Sequence, residues 1–252
     1  MRVVVVGASS GLGRCLSVGL ARRGARVALL ARRRDRLERA AEEAGHGALA
    51  VECDVTSPVS AASAVAGAAE GLGGIDGLVY TPAIGPLARI AETDAATWRR
   101  VFDTNVIGAS LVTAAALPHL EANAGTAVYL SSVSASVTPP WPGLGAYAVS
   151  KAALDKLVEA WRAEHPHLGF TRVVVGDCAG GEGESVTGFP NEWDHELAGE
   201  MGALWADRQY LAGTLLDVDE LVAAVDAVLR LGPTASVPSL TVAPRAAPPD
   251  PR

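Results

Sequence analysis

The residues best suited to chemistry are a tyrosine and a lysine four positions apart, Tyr147 and Lys151. Residues at this spacing share one face of a helix, so in a helical segment the phenol and the ammonium would point the same way. A phenol has a reference pKa of about 10 and is a poor acid or base at neutral pH. A nearby cation favours the phenolate and lowers that pKa. The pair could therefore move a proton, although the same spacing is also common on solvated helices.

Glycines near the N-terminus are spaced for binding a phosphate. They follow a run of valines and precede leucines at helical spacing. Glycine permits a tight turn and a close approach of a ligand to the backbone, and the N–H groups at a helix N-terminus bind a pyrophosphate. The pattern favours a dinucleotide site over a plain glycine-rich turn. The candidate contacts in this loop are Gly7, Ser9, Ser10, Gly11, Leu12 and Gly13.

The end of the second apolar run indicates which dinucleotide would bind. A carboxylate there would accept from the adenosine ribose 2′-hydroxyl and repel a 2′-phosphate. This chain instead has Ala31 and then a run of arginines, with no acid before Asp35. An arginine fork matches a phosphate in charge and geometry. We therefore expect NADP(H) rather than NAD(H), bound by Arg32 and Arg33, with Arg14 as a weaker helper.

Asp54 and Val55 follow the third apolar run and are further candidates for cofactor contact. The Asp54 carboxylate is placed to accept a hydrogen bond from the adenine amino group. The alternative is that Asp54 caps the helix expected to begin near Ser57.

The elements that position these residues alternate between two sequence patterns. Short runs rich in valine, isoleucine and leucine, typical of parallel strands covered on both faces, occupy residues 3–6, 27–30, 49–51, 75–79, 128–130 and 173–175. The segments between them repeat apolar residues at helical spacing. Ser57 with Pro58, Asp217 and Gly45 supply helix start and stop signals. The sequence predicts an α/β fold, a single doubly wound Rossmann-type domain with about seven parallel strands and helices on both faces.

The composition narrows the class of protein. The 252 residues carry a net charge of −7, which argues against nucleic acid or an anionic membrane as partner. The cysteines are scattered and no apolar run approaches the ~20 residues of a membrane span. We expect a cytoplasmic protein without metal or signal peptide. Residues 1–242 would form the domain, and the Pro/Ala-rich residues 243–252 a disordered tail.

The whole chain, from residue 1 to about 242, resembles the short-chain dehydrogenase/reductase family in its single-domain form. The resemblance rests on motifs in the family's order: Gly7-x-x-x-Gly11-x-Gly13, Asp54, Asn105-Val106-x-Gly108, Ser131-Ser132 and Tyr147-x-x-x-Lys151. It implies an oxidoreductase in which the cofactor carries hydride while the protein supplies orientation and proton chemistry. It also implies a homodimer or homotetramer, paired through the helices that carry Asn105 and Tyr147.

The resemblance also implies a role for each catalytic candidate. Tyr147 would protonate the carbonyl oxygen, and Lys151 would bind the nicotinamide ribose and lower the tyrosine pKa. Ser132 would hydrogen-bond the substrate oxygen. Asn105 would hold a water that links Lys151 to bulk solvent. The alternatives are that Asn105 is a helix cap and that Ser132 is a strand-end hydroxyl. Ser134 is a second candidate for the catalytic serine, because it has the family's usual separation from Tyr147.

Three segments depart from the family's pattern. Val6 replaces the usual threonine or serine, and residues 80–83 replace the usual Asn-Asn-Ala-Gly, so a hydrogen bond between the glycine loop and the fourth strand is expected to be missing. Residues 177–184 replace a Pro-Gly motif, which puts cofactor contacts there in doubt and leaves Thr187 as a candidate for the nicotinamide amide.

The segment after the sixth strand is expected to form a substrate lid over residues 178–210. Its glycines and acids offer little to pack, so residues 180–193 are expected to be open without ligands and to order on binding. Aromatic residues near the entrance favour an apolar or aromatic substrate, although such residues are also common in a lid core or a subunit interface. They are Trp141, Phe189, Trp193 and Trp205.

Three functions remain from the sequence. The first is a carbonyl reductase or alcohol dehydrogenase acting on a small molecule. The second is a non-catalytic NADP-binding protein that senses redox state or scaffolds a partner. The third is a sugar-nucleotide epimerase or dehydratase, whose members usually have a Gly-x-x-Gly-x-x-Gly loop and a longer C-terminal domain.

Overall fold

A computed structural model describes residues 1–246 of the chain. Seven parallel strands form one sheet in the order β3-β2-β1-β4-β5-β6-β7. The strands are β1 Arg2–Val6, β2 Arg26–Ala31, β3 Leu49–Glu52, β4 Gly77–Tyr80, β5 Thr126–Ser132, β6 Gly169–Val175 and β7 Ser239–Val242. The predicted doubly wound, seven-stranded α/β fold is confirmed. Only β7 lacks a counterpart among the apolar runs, because this edge strand is half exposed and alternates along its length.

Helices cover both faces of the sheet. They are α1 Gly11–Arg22, α2 Arg34–Ala44, α3 Pro58–Leu72, α4 Ala95–Phe102, α5 Gly108–Asn123, α6 Val133–Ser136, α7 Gly145–Glu164, α8 His195–Asp207 and α9 Val218–Leu229. A π-helical segment, Asp103–Ile107, joins α4 to α5. Two of the helix starts follow the expected caps, since Ser57 accepts from the Ser60 N–H and Asp217 from the Asp219 N–H.

The core is divided by the sheet into two layers. Val3 and Val5 of β1 point to a layer with residues of α1, α2 and α9, whereas Val4 and Val6 point to one with residues of α3, α5 and α7. A strand buried on both faces needs apolar residues at every position, which explains the unbroken runs in the sequence.

One helical stretch, Ala95–Asn123, is long and apolar enough to cross a membrane by length and composition. Val112, Ala116 and Leu120 from this stretch pack in the second core layer. The α5 part of this stretch therefore packs one face against the sheet.

The chain keeps contact with the domain at the end of β7 and just beyond it. The Gly176 N–H donates to the Val242 carbonyl, and the Thr214 hydroxyl donates to the carbonyl of Arg245. Residues 247–252, the rest of the tail expected to be disordered, lie outside the described residues.

Candidate active site

The carboxyl ends of the central strands open onto a cavity of about 1170 Å³. It lies where the strand order reverses between β1 and β4, the usual ligand position in an open α/β sheet. Side chains from the glycine loop, the end of β2, the end of β5, α7 and the lid line it. Residues that are far apart in the sequence thus share one pocket.

The glycine loop has the backbone that only glycine adopts easily. Gly7 has φ +82° and Gly11 has φ +55°. A Cβ on Gly13 would overlap the Gly7 carbonyl oxygen. Ser10, at the N-terminus of α1, makes no side-chain cap hydrogen bond. The start of α1 therefore lacks a side-chain cap and is suited to a phosphate.

The loop is nevertheless tied to the fourth strand. The Thr81 hydroxyl donates to the Val6 carbonyl at 2.6 Å, and the Thr81 N–H donates to the same oxygen at 3.2 Å. The expectation that this link is missing was wrong. Thr81, just after β4, supplies the hydroxyl that the family usually places in the glycine loop.

Arginines that follow β2 line the cavity beside the glycine loop. Arg33 Nη2 donates to the hydroxyls of Ser9 at 3.0 Å and Ser10 at 2.7 Å. Burial lowers the pKa of Arg33, and the charges of Arg36 and Arg32 lower it further. Cations that repel one another at a cavity wall form an anion site. Arg36 also lines the cavity, and the sequence reasoning missed it although it belongs to the same arginine run.

Arg14, the expected weaker phosphate helper, is already paired. Its guanidinium lies 2.8 Å from the carboxylate of Glu43 and 2.6 Å from that of Glu184. Arg39 binds the other Glu184 oxygen at 2.6 Å. Hydrogen bonds from Arg39 and Arg14 lower the pKa of Glu184 to about 2. Arg14 therefore holds the lid on α1 and α2, a contact between residues 170 apart that no local pattern reveals.

Asp54 and Val55 line the cavity. Asp54 Oδ1 accepts from both the N–H and the hydroxyl of Thr56, at 2.9 and 2.8 Å. These hydrogen bonds lower the pKa of Asp54. The cap of α3 is Ser57 rather than Asp54, so the alternative role suggested for Asp54 was wrong.

Ser132 and Tyr147 meet at the opposite end of the cavity. Burial raises the pKa of Tyr147 to about 12, and the neighbouring Ser132 hydroxyl partly offsets this rise. Ser134 lies behind Ser132, with its hydroxyl 2.9 Å from the Ser132 hydroxyl. Of the two candidate serines, Ser132 therefore faces the phenol and Ser134 supports it.

Lys151 lies beneath the tyrosine. Its Nζ is 5.7 Å from the centre of the Tyr147 ring and donates to the Leu130 carbonyl at 2.7 Å. Burial lowers the pKa of Lys151 to about 8, and the charge of Asp155 opposes this shift. A buried lysine with such a pKa changes its charge within a physiologically relevant range.

Asn105 is fully buried in the π-helical segment and tied to two neighbours. Its side-chain oxygen accepts from the Ile84 N–H, while its amide nitrogen donates to the Ile84 carbonyl and to the Ser150 hydroxyl, all at 2.9 Å. The side chain thus fixes the loop after β4 against α7. A water held by Asn105 would bind to its main chain.

Residues 178–210, the expected lid, contribute to the lining of the cavity and pack through their aromatic residues. Phe189 meets the Tyr147 ring edge-on at 4.9 Å between centroids, and Trp193 Nε1 donates to the Gly85 carbonyl at 2.8 Å. Trp205 Nε1 donates to the Pro142 carbonyl, and its ring lies 5.3 Å from Trp141. The expectation that this segment has little to pack was wrong, because the aromatic rings and Glu184 anchor it.

Thr187 lies on the lid directly above the glycine loop. A Cβ on Gly11 would lie 3.3 Å from the Thr187 Cα. Thr187 lines the cavity, and its hydroxyl accepts from the Phe189 N–H at 3.3 Å. It thus lies beside both the glycine loop and Phe189.

One group of possible metal ligands lies within residues 1–246, away from this cavity. Glu121, His165 and His167 bring their ligand atoms within 4.8 Å of one another near the C-terminal end of α7. His165 Nδ1 is 3.4 Å from Glu121 Oε1, a distance that also suits an ion pair. These residues contribute nothing to the cavity.

Comparisons with known proteins agree with this geometry. A family model described as short chain dehydrogenase matches residues 1–182. The chain is 37% identical over 160 residues to "Inactive 2-(S)-hydroxypropyl-CoM dehydrogenase 2" of Xanthobacter autotrophicus, covering 63% of this chain and 68% of that protein. It is 35% identical over 180 residues to "11-beta-hydroxysteroid dehydrogenase A" of Arachis hypogaea, covering 69% of this chain and 51% of that one. The chain thus spans about half the length of the second relative.

A solved structure is similar over the full length. The alcohol dehydrogenase of the archaeon Thermococcus sibiricus, complexed with 5-hydroxy-NADP, has a TM-score of 0.79 and 25% identity, covering 100% of this chain and 98% of that one. The family model, the similar sequences and this structure point to the same family as the motifs of the pocket. The chain therefore belongs to the short-chain dehydrogenase family of oxidoreductases.

Proposed function

We propose that this protein transfers hydride between NADP(H) and a carbonyl or alcohol substrate, with Tyr147 as general acid and base. The observation that carries the proposal is the shared cavity: the glycine loop and the arginines line one end, and Ser132, Tyr147 and Lys151 the other. Dinucleotides are long and have phosphates and a reactive ring at opposite ends, so a site of this length and chemistry suits them.

The residues fit an NADP(H) molecule at each part of the cavity. The pyrophosphate would lie at the start of α1, which has no side-chain cap. The backbone there is so closely spaced that a Cβ on Gly13 would not fit. Arg32, Arg33 and Arg36 surround a position that suits a 2′-phosphate. Asp54 suits the adenosine, and Tyr147 and Lys151 border the nicotinamide end. Asn105 is fully buried behind α7 and does not line the cavity, so it would act there only through its neighbours. When bound, NADP(H) supplies or takes up the hydride.

The protein's part in carbonyl reduction is proton transfer to oxygen. As hydride adds to the carbonyl carbon, the Tyr147 hydroxyl gives its proton to the oxygen and Ser132 donates a hydrogen bond to it. Lys151 binds the ribose and stabilises the phenolate until a proton returns from solvent. Because burial raises the pKa of Tyr147 to about 12, the phenol is protonated at neutral pH and ready to act as an acid. Alcohol oxidation needs the phenolate and is favoured at alkaline pH.

The aromatic side chains of the lid, together with Trp141 from the loop before α7, support an uncharged, apolar or aromatic substrate. The indole N–H groups of Trp141, Trp193 and Trp205 all donate to protein oxygens, to Thr138, Gly85 and Pro142. These residues therefore offer a substrate only their ring faces and edges. A small-molecule substrate, a cytoplasmic location and a homo-oligomer complete the proposal.

The test is reduction of a panel of uncharged aromatic and alicyclic ketones, followed as NADPH oxidation. Tyr147→Phe should lower kcat by about 10²–10⁴-fold and leave NADPH affinity nearly unchanged, because it removes the acid but no cofactor contact. The kcat of Ser132→Ala should fall less steeply. Ser134→Ala, which removes the serine behind Ser132, should change kcat little.

Appreciable turnover by Tyr147→Phe would show that another residue is the acid. Absence of turnover in the wild-type protein, with NADPH binding intact, would favour the non-catalytic alternative. That alternative has a precedent in the Xanthobacter relative, which is described as inactive.

A further inference from the structure

A carboxylate lies buried next to the catalytic candidates, on the helix that carries them. Asp155 is 4% exposed and comes one turn after Lys151 on α7. Its Oδ2 is 3.3 Å from Arg172 Nη1 of β6. Its Oδ1 and the buried Ser131 hydroxyl make no hydrogen bond with any residue of 1–246, although the two groups lie side by side. Buried charges are normally paired on every side, so this carboxylate is only partly satisfied by Arg172.

Lys151 is the buried cation on the same helix as the Asp155 carboxylate. The chain has only two lysines, Lys151 and Lys156. Lys156 is exposed on the surface of α7 and pairs with Glu159, whereas Lys151 is 2% exposed. An ammonium removed from water loses its proton readily unless a negative charge lies nearby.

The surroundings of Lys151 offer one such charge. Its own helix presents Tyr147 and Asp155, and β5 presents the Leu130 carbonyl and the Ser131 hydroxyl. The π-helical segment and α6, which pack against α7, bury Asn105 and Ser134, and both side chains are uncharged. From β6, Arg172 contacts Asp155. Burial lowers the lysine pKa to about 8, and Asp155 is the group that opposes the shift.

We propose that Asp155 is a positioning residue for Lys151, whose buried carboxylate keeps the lysine charged and aimed at the pocket. Without it, Lys151 would be largely neutral near pH 8, and a neutral amine neither stabilises a phenolate nor binds ribose as a cation. The Arg172 contact orients the carboxylate, and its second oxygen remains available to Lys151 and Ser131. The catalytic part of the inference rests on the proposed function, but the electrostatic part does not.

The two-lysine composition makes a direct test possible. Protein labelled with ¹³C-lysine gives one side-chain signal for Lys151 and one for Lys156, and their titration needs neither substrate nor cofactor. In the wild-type protein Lys151 should titrate near pH 8. In Asp155→Asn, which keeps the shape of the side chain, its midpoint should fall by about one pH unit. The high-pH limb of kcat/KM for ketone reduction should move down by the same amount.

Glu159→Gln is the matched control. Glu159 Oε1 is 3.7 Å from the same Arg172 Nη1, on the same helix, but Glu159 is not among the groups around Lys151. This variant should leave the Lys151 midpoint and the pH profile in place. A purely structural role for Asp155, as a tether between α7 and β6, would change thermal stability in both variants without moving the lysine titration.

The outcomes separate cleanly. An unchanged Lys151 midpoint in folded Asp155→Asn overturns the inference, and so does an equal shift in Glu159→Gln. If Asp155→Asn does not fold, the wild-type Lys151 signal must still move as the pH falls through the titration of Asp155, and a fixed signal overturns the inference. Failure of the proposed function would instead appear as turnover by Tyr147→Phe, whatever the lysine titration shows.

Discussion

Arg32 and Arg33 are adjacent in the sequence but differ in what they already bind. Arg33 donates to Ser9 and Ser10 and so holds the glycine loop. Arg32 lines the cavity and has no hydrogen bond or ion pair with the rest of residues 1–246. An exposed guanidinium that has no protein partner is the one best able to bind an incoming phosphate. Arg33 is therefore better placed to hold the glycine loop than to bind the phosphate by itself.

We expect Arg32→Ala to weaken NADPH binding by about tenfold or more while barely changing NADH binding, because only NADPH carries the 2′-phosphate. Titration of both cofactors by quenching of tryptophan fluorescence measures this. Arg34→Ala is the control, since Arg34 pairs with Glu38 and does not line the cavity. Equal affinities of the wild-type protein for NADPH and NADH would contradict the phosphate interpretation.

The sequence predicts the side chains of this site better than their partners. Tyr147 and Lys151 are predicted from their local spacing, and Ser132 from its place in the family's pattern. Thr81 and Glu184 were missed because each acts on a residue far away in the chain, Val6 in one case and Arg14 in the other. Such contacts depend on how strands and loops meet at one edge of the sheet. No pattern within a short segment encodes them.

At the scale of elements, the strands and helices follow directly from apolar periodicity, but the state of the lid does not. Its sequence is rich in glycine and acids, which suggested an open loop. In the structure Glu184 binds Arg14 and Arg39, and Phe189 covers Tyr147. Because the pKa of Glu184 is lowered to about 2, below its usual value, this anchor persists above that usual value and is lost as the pH falls toward 2.

We expect Glu184→Gln to speed amide hydrogen exchange in residues 180–193, because it removes the charge that joins the lid to α1 and α2. Exchange measured at neutral pH by mass spectrometry would show this, and added salt should have a similar, weaker effect on the wild-type protein. Glu182→Gln changes a neighbouring exposed glutamate and should leave exchange unaltered. Equal protection in wild-type and Glu184→Gln protein would mean that the aromatic contacts alone hold the lid.

At the scale of the whole molecule, apolar surface remains on the helices that flank the site. Ile107 of the π-helical segment and Val149 of α7 are 47% and 46% exposed. Within the apolar stretch Ala95–Asn123, only 39% of the most hydrophobic window is buried. The net charge of −7 would by itself keep copies apart, so an apolar contact surface must outweigh it if the protein is to associate.

We expect the protein to be a homodimer or homotetramer that pairs through this helical surface, because burying large apolar side chains between copies removes them from water. Val149→Glu should weaken association by at least about tenfold, since it places a charge where the interface would exclude water. Light scattering coupled to gel filtration, over a range of concentrations, measures the mass of each variant. Val59→Glu is the matched control, because Val59 is also exposed but lies at the start of α3. A monomeric wild-type protein, or equal dissociation of the two variants, would place the interface elsewhere or remove it.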